Sequence, residues 1–385
     1  MTFRELIESK EIVVCVGSGG VGKTTTSAVI GLHAALQGKR VLVLTIDPAR
    51  RLANSLGIDA ISDEPAQIPL EQFQQVGLDP GDGELWAMML DMKTSFDRVV
   101  RRHAPDEARE AILNNRIYQY FSTSLAGTQE YAAAERLFEL HSEGEWDLIV
   151  LDTPPTTHAL DFLEAPNRLE DAIDNKALQW IYKPGVLAGK RGLGIFSMGT
   201  SYVLKTLGRL TGTQLLEEFS VFLRSFSTLF EGLRDRAREV RDALAGDMAT
   251  FVVVTAPDPL TLDEALEFHR KLGEEQVQVG AFVVNRVHGF WLSADELARP
   301  MVQHAARLAD AHDYFAKMKA DERRAITEKL LTTAREFDAL ARGDEASLDR
   351  LRLTISAVPI QTVPFFATDI HSIEGLDKVR RALIG

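Results

Sequence analysis

The sequence predicts an α/β fold: a parallel sheet covered by helices, with an inserted helical subdomain. Three observations carry this. Short apolar runs rich in Val, Ile and Leu recur along the chain, and they are continuous rather than alternating, which means burial on both faces of a sheet. Stretches of helical periodicity separate them, the pattern of strand–helix–strand units with right-handed crossovers. A glycine-rich turn joins the first apolar run to the first helix.

The elements follow in order. Ile12–Val16 is the first strand, and a helix over Thr24–Gln37 ends at Gly38. Val41–Ile46 is the second strand. The polar Pro/Gly stretch Ser62–Gly83 is expected to be a long loop. Leu85–Leu90 is the third strand, and a long helical region lies between Asp91 and Trp146. After the strand Leu148–Leu151, a second helical region runs from Asp161 to Asp247. Strands follow at Phe251–Thr255 and Val279–Val284. A highly charged helical pattern over Trp291–Arg352, marked by Leu308, Phe315, Met318, Ile326, Leu330 and Phe337, reads as a solvated helical hairpin. The last run, Ile355–Phe365, holds two prolines and so is expected to end early or lie at a sheet edge.

Crossovers as long as the two central ones exceed a simple connection. The core is therefore expected at 1–92, 141–165 (with a second switch segment), 248–288 and 353–385, the helical subdomain at 93–140 and 166–247, and the charged insertion at 289–352. Within the subdomain, Leu215, Leu216, Phe219, Phe222, Leu223, Phe226, Leu229, Phe230 and Leu233 recur at helical spacing, with Val203, Leu204, Leu207 and Leu210 upstream. Such stripes are either core between packed helices or a groove for an apolar helix. Lys183–Thr200 is glycine-rich, basic and partly apolar, a segment expected to be mobile or to order only on binding a ligand or partner.

Bulk properties narrow the classes. At 385 residues the chain suits two to three structural units of about 150 residues. Hydrophobic residues make up 45% and charged residues 26%, ordinary for a soluble globular protein. A net charge of −13 argues against a nucleic-acid binder, which needs clustered cations to neutralise phosphates. The one cysteine, Cys15, excludes an internal disulfide, a CxxC pair and an intrachain cysteine-rich metal site, and fits a reducing cytoplasm. The start, MTFRELIESK, is charged and lacks the apolar run of a signal peptide. No apolar run approaches the roughly 18 to 20 residues of a membrane helix, so any membrane connection is expected to be peripheral or through a partner.

The strongest chemical signal is Gly17-Ser-Gly-Gly-Val-Gly-Lys23-Thr24, which satisfies G-x-x-x-x-G-K-[ST] between a strand and a helix. Glycines let the backbone wrap phosphate oxygens with its N–H groups turned inward, and the helix N-terminus adds partial positive charge. Lys23 is placed to reach β- and γ-phosphates, and the Thr24 hydroxyl to ligate Mg²⁺. Gly19, Gly20, Val21, Gly22 and Thr25 complete the expected nucleotide-binding set on this loop. Asp47 follows the second strand and Asp152 the run Leu148–Leu151. Ligands of parallel sheets bind beyond the carboxyl ends of strands, so both carboxylates are expected to face the loop. One would hold Mg²⁺ through water and the other position an attacking water.

These segments, Gly17–Thr25, Thr45–Gly57 (TIDPARRLANSLG) and Asp152–Pro166 (DTPPTTHALDFLEAP), resemble the ArsA family of P-loop ATPases. That family comprises arsenical-pump ATPases and ATPases that target tail-anchored membrane proteins, acting as nucleotide-dependent dimers. Ser124–Leu137 and Phe282–Arg286 (FVVNR) extend the likeness in family order. The resemblance implies a P-loop NTPase core, ATP and Mg²⁺ as cofactors, and ATP hydrolysis. It implies that Lys23, Thr24 and Thr25 bind phosphates and Mg²⁺, that Asp47 in the first switch (with Pro48 and Arg50) activates the hydrolytic water, and that Asp152 is the Walker B acid holding Mg²⁺ through water. His158 in the second switch would couple nucleotide state to the helical subdomain, Asn285 would read adenine, and Pro364 and the residues after it would close the base pocket.

Three positions depart from the family pattern. Ser18 stands where the family carries a signature lysine that reaches across the dimer. This implies slow hydrolysis by the chain alone, a lysine supplied by a paralogous partner in a heterodimer, or an altered homodimer in which Arg50 or Arg51 substitutes. The single cysteine removes both the metalloid thiolates and the paired CxxC zinc clamp that divide the family. Thr157 replaces a usual glycine in the second switch. The resemblance implies handling or targeting of a membrane-associated or hydrophobic partner. The alternatives are an energising subunit of an anion transporter, a positioning ATPase, and a weakly hydrolysing nucleotide-switch scaffold.

Overall fold

The computed structural model describes residues 2–46, 51–58, 61–116, 118–119, 122, 128–154 and 230–385. It opens with α1 (Phe3–Ser9), β1 (Ile12–Val16), α2 (Lys23–Ala35) and β2 (Arg40–Thr45). α3 (Arg51–Leu56), β3 (Ala66–Gln67), α4 (Leu70–Gln74) and β4 (Glu84–Met89) follow. Next come α5 (Met92–His103), α6 (Asp106–Leu113), α7 (Thr128–Ser142) and β5 (Leu148–Asp152). Then come α8 (Phe230–Ala245), β6 (Ala249–Thr255), α9 (Pro259–Glu274) and β7 (Val279–Val287). The chain finishes with α10 (Ala294–Leu297), α11 (Met301–Ala311), α12 (Asp313–Ala316), α13 (Ala320–Thr354), β8 (Ile360–Pro364) and α14 (Ile373–Leu383).

Local chemistry sets several of these boundaries. A capping box starts α1, where the Thr2 hydroxyl accepts from the Glu5 amide and the Glu5 carboxylate accepts from the Thr2 amide. Asp258 caps α9 by accepting from the amides of Leu260 and Thr261, with Pro259 at the first helical position. Ser372 caps α14 by accepting from the Gly375 amide.

The strands form one sheet in the order β3-β4-β2-β5-β1-β6-β7-β8. Every described pairing is parallel except the short β3–β4 edge. The expected α/β class, a parallel sheet covered by helices, is the one observed. Alternate residues of each strand feed two separate cores. Val14, Val16, Leu42, Leu44, Ile149 and Leu151 face helices α7, α8 and α9 through residues such as Leu137, Val240 and Phe268. Val13, Cys15, Val41, Val43 and Val150 face α1, α2 and α14 through Leu6, Ile30 and Leu376. This double burial is why the runs are continuously apolar.

The structure differs from the sequence expectation in three places. Ser62–Gly83 is more than a loop: it contains β3, which adds an antiparallel edge to β4, and α4, which buries Phe73. The run from Ile355 contributes only Ile360–Pro364 as strand, because α13 continues to Thr354; β8 does lie at the sheet edge. The charged insertion packs α11 against α13, but it is not wholly solvated. Thr327, Leu331, Ala334, Asp338, Ala341, Leu348 and Leu351 form a buried stripe along α13. The stripe is offset by one residue from the expected Leu330, which is exposed, and Leu348 and Leu351 join the main core.

Two polar clusters brace this frame. At the amino ends of the central strands, the Arg40 guanidinium lies 5.5 Å from the Trp86 ring centre and 4.8 Å from that of Trp146, and pairs with Glu84 at 3.0 Å. Contacts of this cation–π kind contribute about 0.5 to 1 kcal/mol at exposed sites. On α8, the Arg236 Nε donates to both oxygens of the buried Glu135 on α7, at 2.9 and 3.1 Å, while its guanidinium covers Phe138 at 4.2 Å. Burial opposes the Arg236 charge, but its hydrogen bonds to the carboxylates of Glu135 and Glu239 outweigh this and hold the guanidinium pKa above its ordinary value. Among the described residues no helix is long and apolar enough to cross a membrane.

His33 of α2 is wholly buried, and burial, reinforced by Arg380, Arg4 and Lys39, pushes its imidazole down to about 4. The unfolded chain therefore takes up a proton near pH 6.5 that the folded chain refuses until about pH 4. Stability should fall over that window with a slope of up to about 1.4 kcal/mol per pH unit. Denaturant midpoints measured from pH 7 to pH 4 should show this limb in the wild type and a flatter one in His33→Leu.

Candidate functional site

The glycine loop leaves the carboxyl end of β1, the strand between β5 and β6, and closes into α2. Gly22 caps the helix with φ 101°, a conformation that L side chains avoid, and a Cβ there would run into the Asn285 amide. At Gly17 a Cβ would strike the backbone carbonyl of Val254 on β6. The loop is therefore pressed against its neighbours, and only glycine permits that approach. Lys23, 7% exposed, folds its Nζ onto the carbonyls of Gly17 at 2.9 Å and Ser18 at 2.8 Å. This places an ammonium at the loop rim beside the helix N-terminus, the arrangement that favours a bound anion.

Beneath the loop lies Asp152, the last residue of β5 and 1% exposed. Its Oδ2 accepts from the Thr24 hydroxyl at 2.7 Å and from the Thr45 hydroxyl at 3.0 Å. Parallel registers put it beside both Cys15 of β1 and Thr45 of β2. The donor set fits Mg²⁺: a hydroxyl and a carboxylate, both hard oxygen ligands, meet at the helix start. Among the described residues no group of three or more His, Cys, Asp or Glu side chains could hold a metal ion. A cation here would draw its remaining ligands from phosphate and water. Next to Asp152, the Thr153 hydroxyl and amide both donate to the Cys15 carbonyl, at 2.8 and 3.3 Å. Cys15 itself is buried, and desolvation pushes its thiol up to about 12, so it supplies packing rather than a thiolate.

The other wall comes from β7. Its register with β8 shifts between Val284 and Val287, and Arg286 takes φ 62°. Such bulges re-aim side chains beside functional sites. Here Asn285 points at the loop: its Nδ2 donates to the Val21 carbonyl at 2.8 Å and its Oδ1 accepts from the Arg286 amide at 3.0 Å. Together these elements enclose a cavity of about 700 Å³, within the usual range for small-molecule sites. The segment from Pro364 to His371 also lines it, together with Arg51, Asn54 and Ser55 of α3.

Of the residues singled out from sequence, Gly19, Gly20, Gly22, Lys23, Thr24, Thr25, Asn285 and Pro364 line this one cavity. Asp152 supports it from below through Thr24. Val21 does not line it: its side chain packs in the core and its carbonyl accepts from Asn285. Asp47, Pro48, Arg50, Thr157 and His158 lie outside the described residues, as do Lys183–Thr200 and the apolar stripe from Val203 to Leu229. Sequence reading missed Thr45, Thr153, Arg286 and Glu264. The last accepts a short hydrogen bond from the Ser18 hydroxyl, so the departure at Ser18 is built into the loop's own support. Only the strand-end position of Thr45 and Thr153, two residues and one residue from the acids already picked, carried a signal.

The model of the family described as anion-transporting ATPase, the ArsA ATPase, matches residues 10–290. "ATPase ASNA1 homolog 1" of Paramecium tetraurelia is 27% identical over 293 residues, covering 74% of this chain and 78% of that protein. "ATPase get3" of Aspergillus terreus is 28% identical over 274 residues, covering 70% and 71%. "ATPase GET3" of Ajellomyces dermatitidis is 27% identical over 291 residues, covering 74% and 76%.

Gly22→Ala should both strain the αL cap and displace the Asn285 amide. A loss of about 1 to 3 kcal/mol in thermal unfolding is expected from the backbone strain alone. A variant as stable as the wild type would show that the loop is not held this tightly.

Proposed function

This chain belongs to the anion-transporting, ArsA-type ATPase family, and on that premise we propose that it binds and hydrolyses Mg-ATP as a nucleotide-dependent dimer that handles a hydrophobic or membrane-associated partner. The observation that carries the reading is the meeting of Thr24 and Asp152 at 2.7 Å directly under a loop rimmed by Lys23. In this reading Lys23 neutralises the β- and γ-phosphates, Thr24 ligates Mg²⁺, and Asp152 holds the ion through water. Asp47 orients the attacking water, and Asn285 and Pro364 meet the adenine. Bound Mg²⁺ supplies charge neutralisation on the transferring phosphoryl group. The single buried thiol suits a cytoplasmic protein.

Ser18 shapes the dimer proposal. Its hydroxyl is engaged with Glu264 and carries no charge to send across an interface. Turnover by the isolated chain is therefore slow, unless a lysine comes from a paralogous subunit or an arginine takes over, Arg50 or the cavity-lining Arg51. A second reading, the energising subunit of an anion transporter, is favoured by the family description. It would have to sense its anion without cysteine thiolates, since Cys15 is the chain's one cysteine and is buried.

Lys23→Ala and Asp152→Asn should each lower ATP turnover about 100-fold or more, the scale seen when one preorganised electrostatic contact is removed. Phosphate-release assays with Mg²⁺ check this, and undiminished turnover in either variant would sink the assignment. Native mass measurement with ATP and Mg²⁺, identifying any co-purifying chain, should show a dimer. If only monomer appears at every nucleotide state, the dimer proposal fails. Brisk hydrolysis by the chain alone, unchanged in Arg50→Ala and in Arg51→Ala, would remove all three explanations offered for Ser18.

A further inference from the structure

The helices between β7 and β8 begin at Ala294, beyond the stretch that matches the family model, which ends at residue 290. Yet they reach the nucleotide cavity through a continuous row of contacts. On α13, Asp344 is almost buried, and one of its oxygens is bonded twice by His288, from the backbone amide at 2.7 Å and the ring Nδ1 at 2.8 Å. His288 follows directly on the bulge that carries Asn285, so this pair fixes both the backbone and the ring plane there. The His288 ring stacks on Phe365, with centroids 5.0 Å apart and planes 21° apart. Phe365 lines the cavity, remains 49% exposed, and is held in place by its amide donating to the Val287 carbonyl at 2.9 Å.

The row also runs outward. Phe337 of α13 lies edge-on to His288 at 6.2 Å and stacks on Trp291 at 4.2 Å. Trp291 is itself more than half exposed. Stacked and edge-on rings prefer particular geometries, so these four rings form one packed row from Phe365 to Trp291. A half-exposed ring braced on one face and facing a nucleotide-sized cavity is a platform for a planar base.

Resting on the nucleotide reading above, we propose that Asp344 and His288 are positioning residues that hold Phe365 as a stacking platform for the nucleobase, and that they thereby couple base occupancy to helix α13 and Trp291. The phosphate end of the site takes no part in this contact. Lys23 and Thr24 belong to α2 and Asp152 to β5, while His288 directly follows β7, Phe365 directly follows β8 and Asp344 lies on α13. Loss of the platform should therefore weaken ligands that carry a base and spare those that do not.

The test compares Mg-ATP with inorganic tripolyphosphate, titrated calorimetrically into the full chain. Phe365→Ala and Asp344→Leu should weaken ATP about tenfold, the scale of losing a base–aromatic stack, and leave tripolyphosphate within about twofold. Asp344→Asn, which keeps an acceptor oxygen, should restore most of the ATP affinity. Tryptophan emission should shift with ATP but not with tripolyphosphate, and the shift should vanish in Trp291→Phe and in Asp344→Leu. Should Asp344→Leu fail to fold, His288→Leu takes its place in both measurements. Equal losses for the two ligands, or unchanged ATP binding in Phe365→Ala, or emission blind to ATP, would overturn the coupling. A wild type that binds tripolyphosphate as tightly as ATP would overturn the platform alone, whereas one that binds neither would instead remove the nucleotide reading itself.

Discussion

A carboxylate that is 1% exposed needs hydrogen-bond donors around it, because burying an unpaired charge costs several kcal/mol. Asp152 meets that condition with two hydroxyls from two other elements, Thr24 of α2 and Thr45 of β2. The requirement therefore ties the start of the loop helix to the ends of two strands. It places the loop over the sheet, brings Lys23 to the rim, and leaves a hard oxygen donor beside the helix N-terminus. It also explains how a chain of net charge −13 can prepare an anion site. The site uses backbone amides, a helix end and one lysine, none of which needs a basic surface.

The two ends of the sheet are specialised in opposite ways. At the carboxyl ends lie polar groups whose partners leave room for a ligand. At the amino ends, Arg40, Glu84, Trp86 and Trp146 close on one another. The Glu135–Arg236 pair performs a third task. It joins α7 to α8 across 101 residues of sequence, so the two flanks of the long central region meet on the sheet whatever lies between them. Burial of the pair makes its removal from either side costly, since the remaining charge would stay in the core.

Most of the sheet was legible because strand burial on both faces leaves continuous Val/Ile/Leu runs, and Ile12–Val16, Leu148–Leu151 and Phe251–Thr255 are such runs. The phosphate loop was legible because its chemistry is contiguous in sequence. β3 and α4 were not, because they are short and sit among Pro69, Pro80 and several glycines that signal a loop. The Ser18–Glu264 and His288–Asp344 contacts span 246 and 56 residues, and no local spacing announces them. α13 misled in a different way. Its buried stripe contains Thr327, Asp338 and Asp344, so a hydrophobic count chose Leu330 and Phe337 where the fold buries a mixed face.

The sheet's margins carry a consequence for how the molecule behaves in company. An open row of backbone donors and acceptors invites strand addition by a neighbouring chain. Here one margin is the two-residue β3, turned antiparallel, and the other is β8, five residues long and ending in Pro364, with Pro359 just before it. Neither presents a long, regular template. Chains crowded at high concentration thus find little on this sheet to extend, and self-association is left to surfaces that selection can tune rather than to bare backbone.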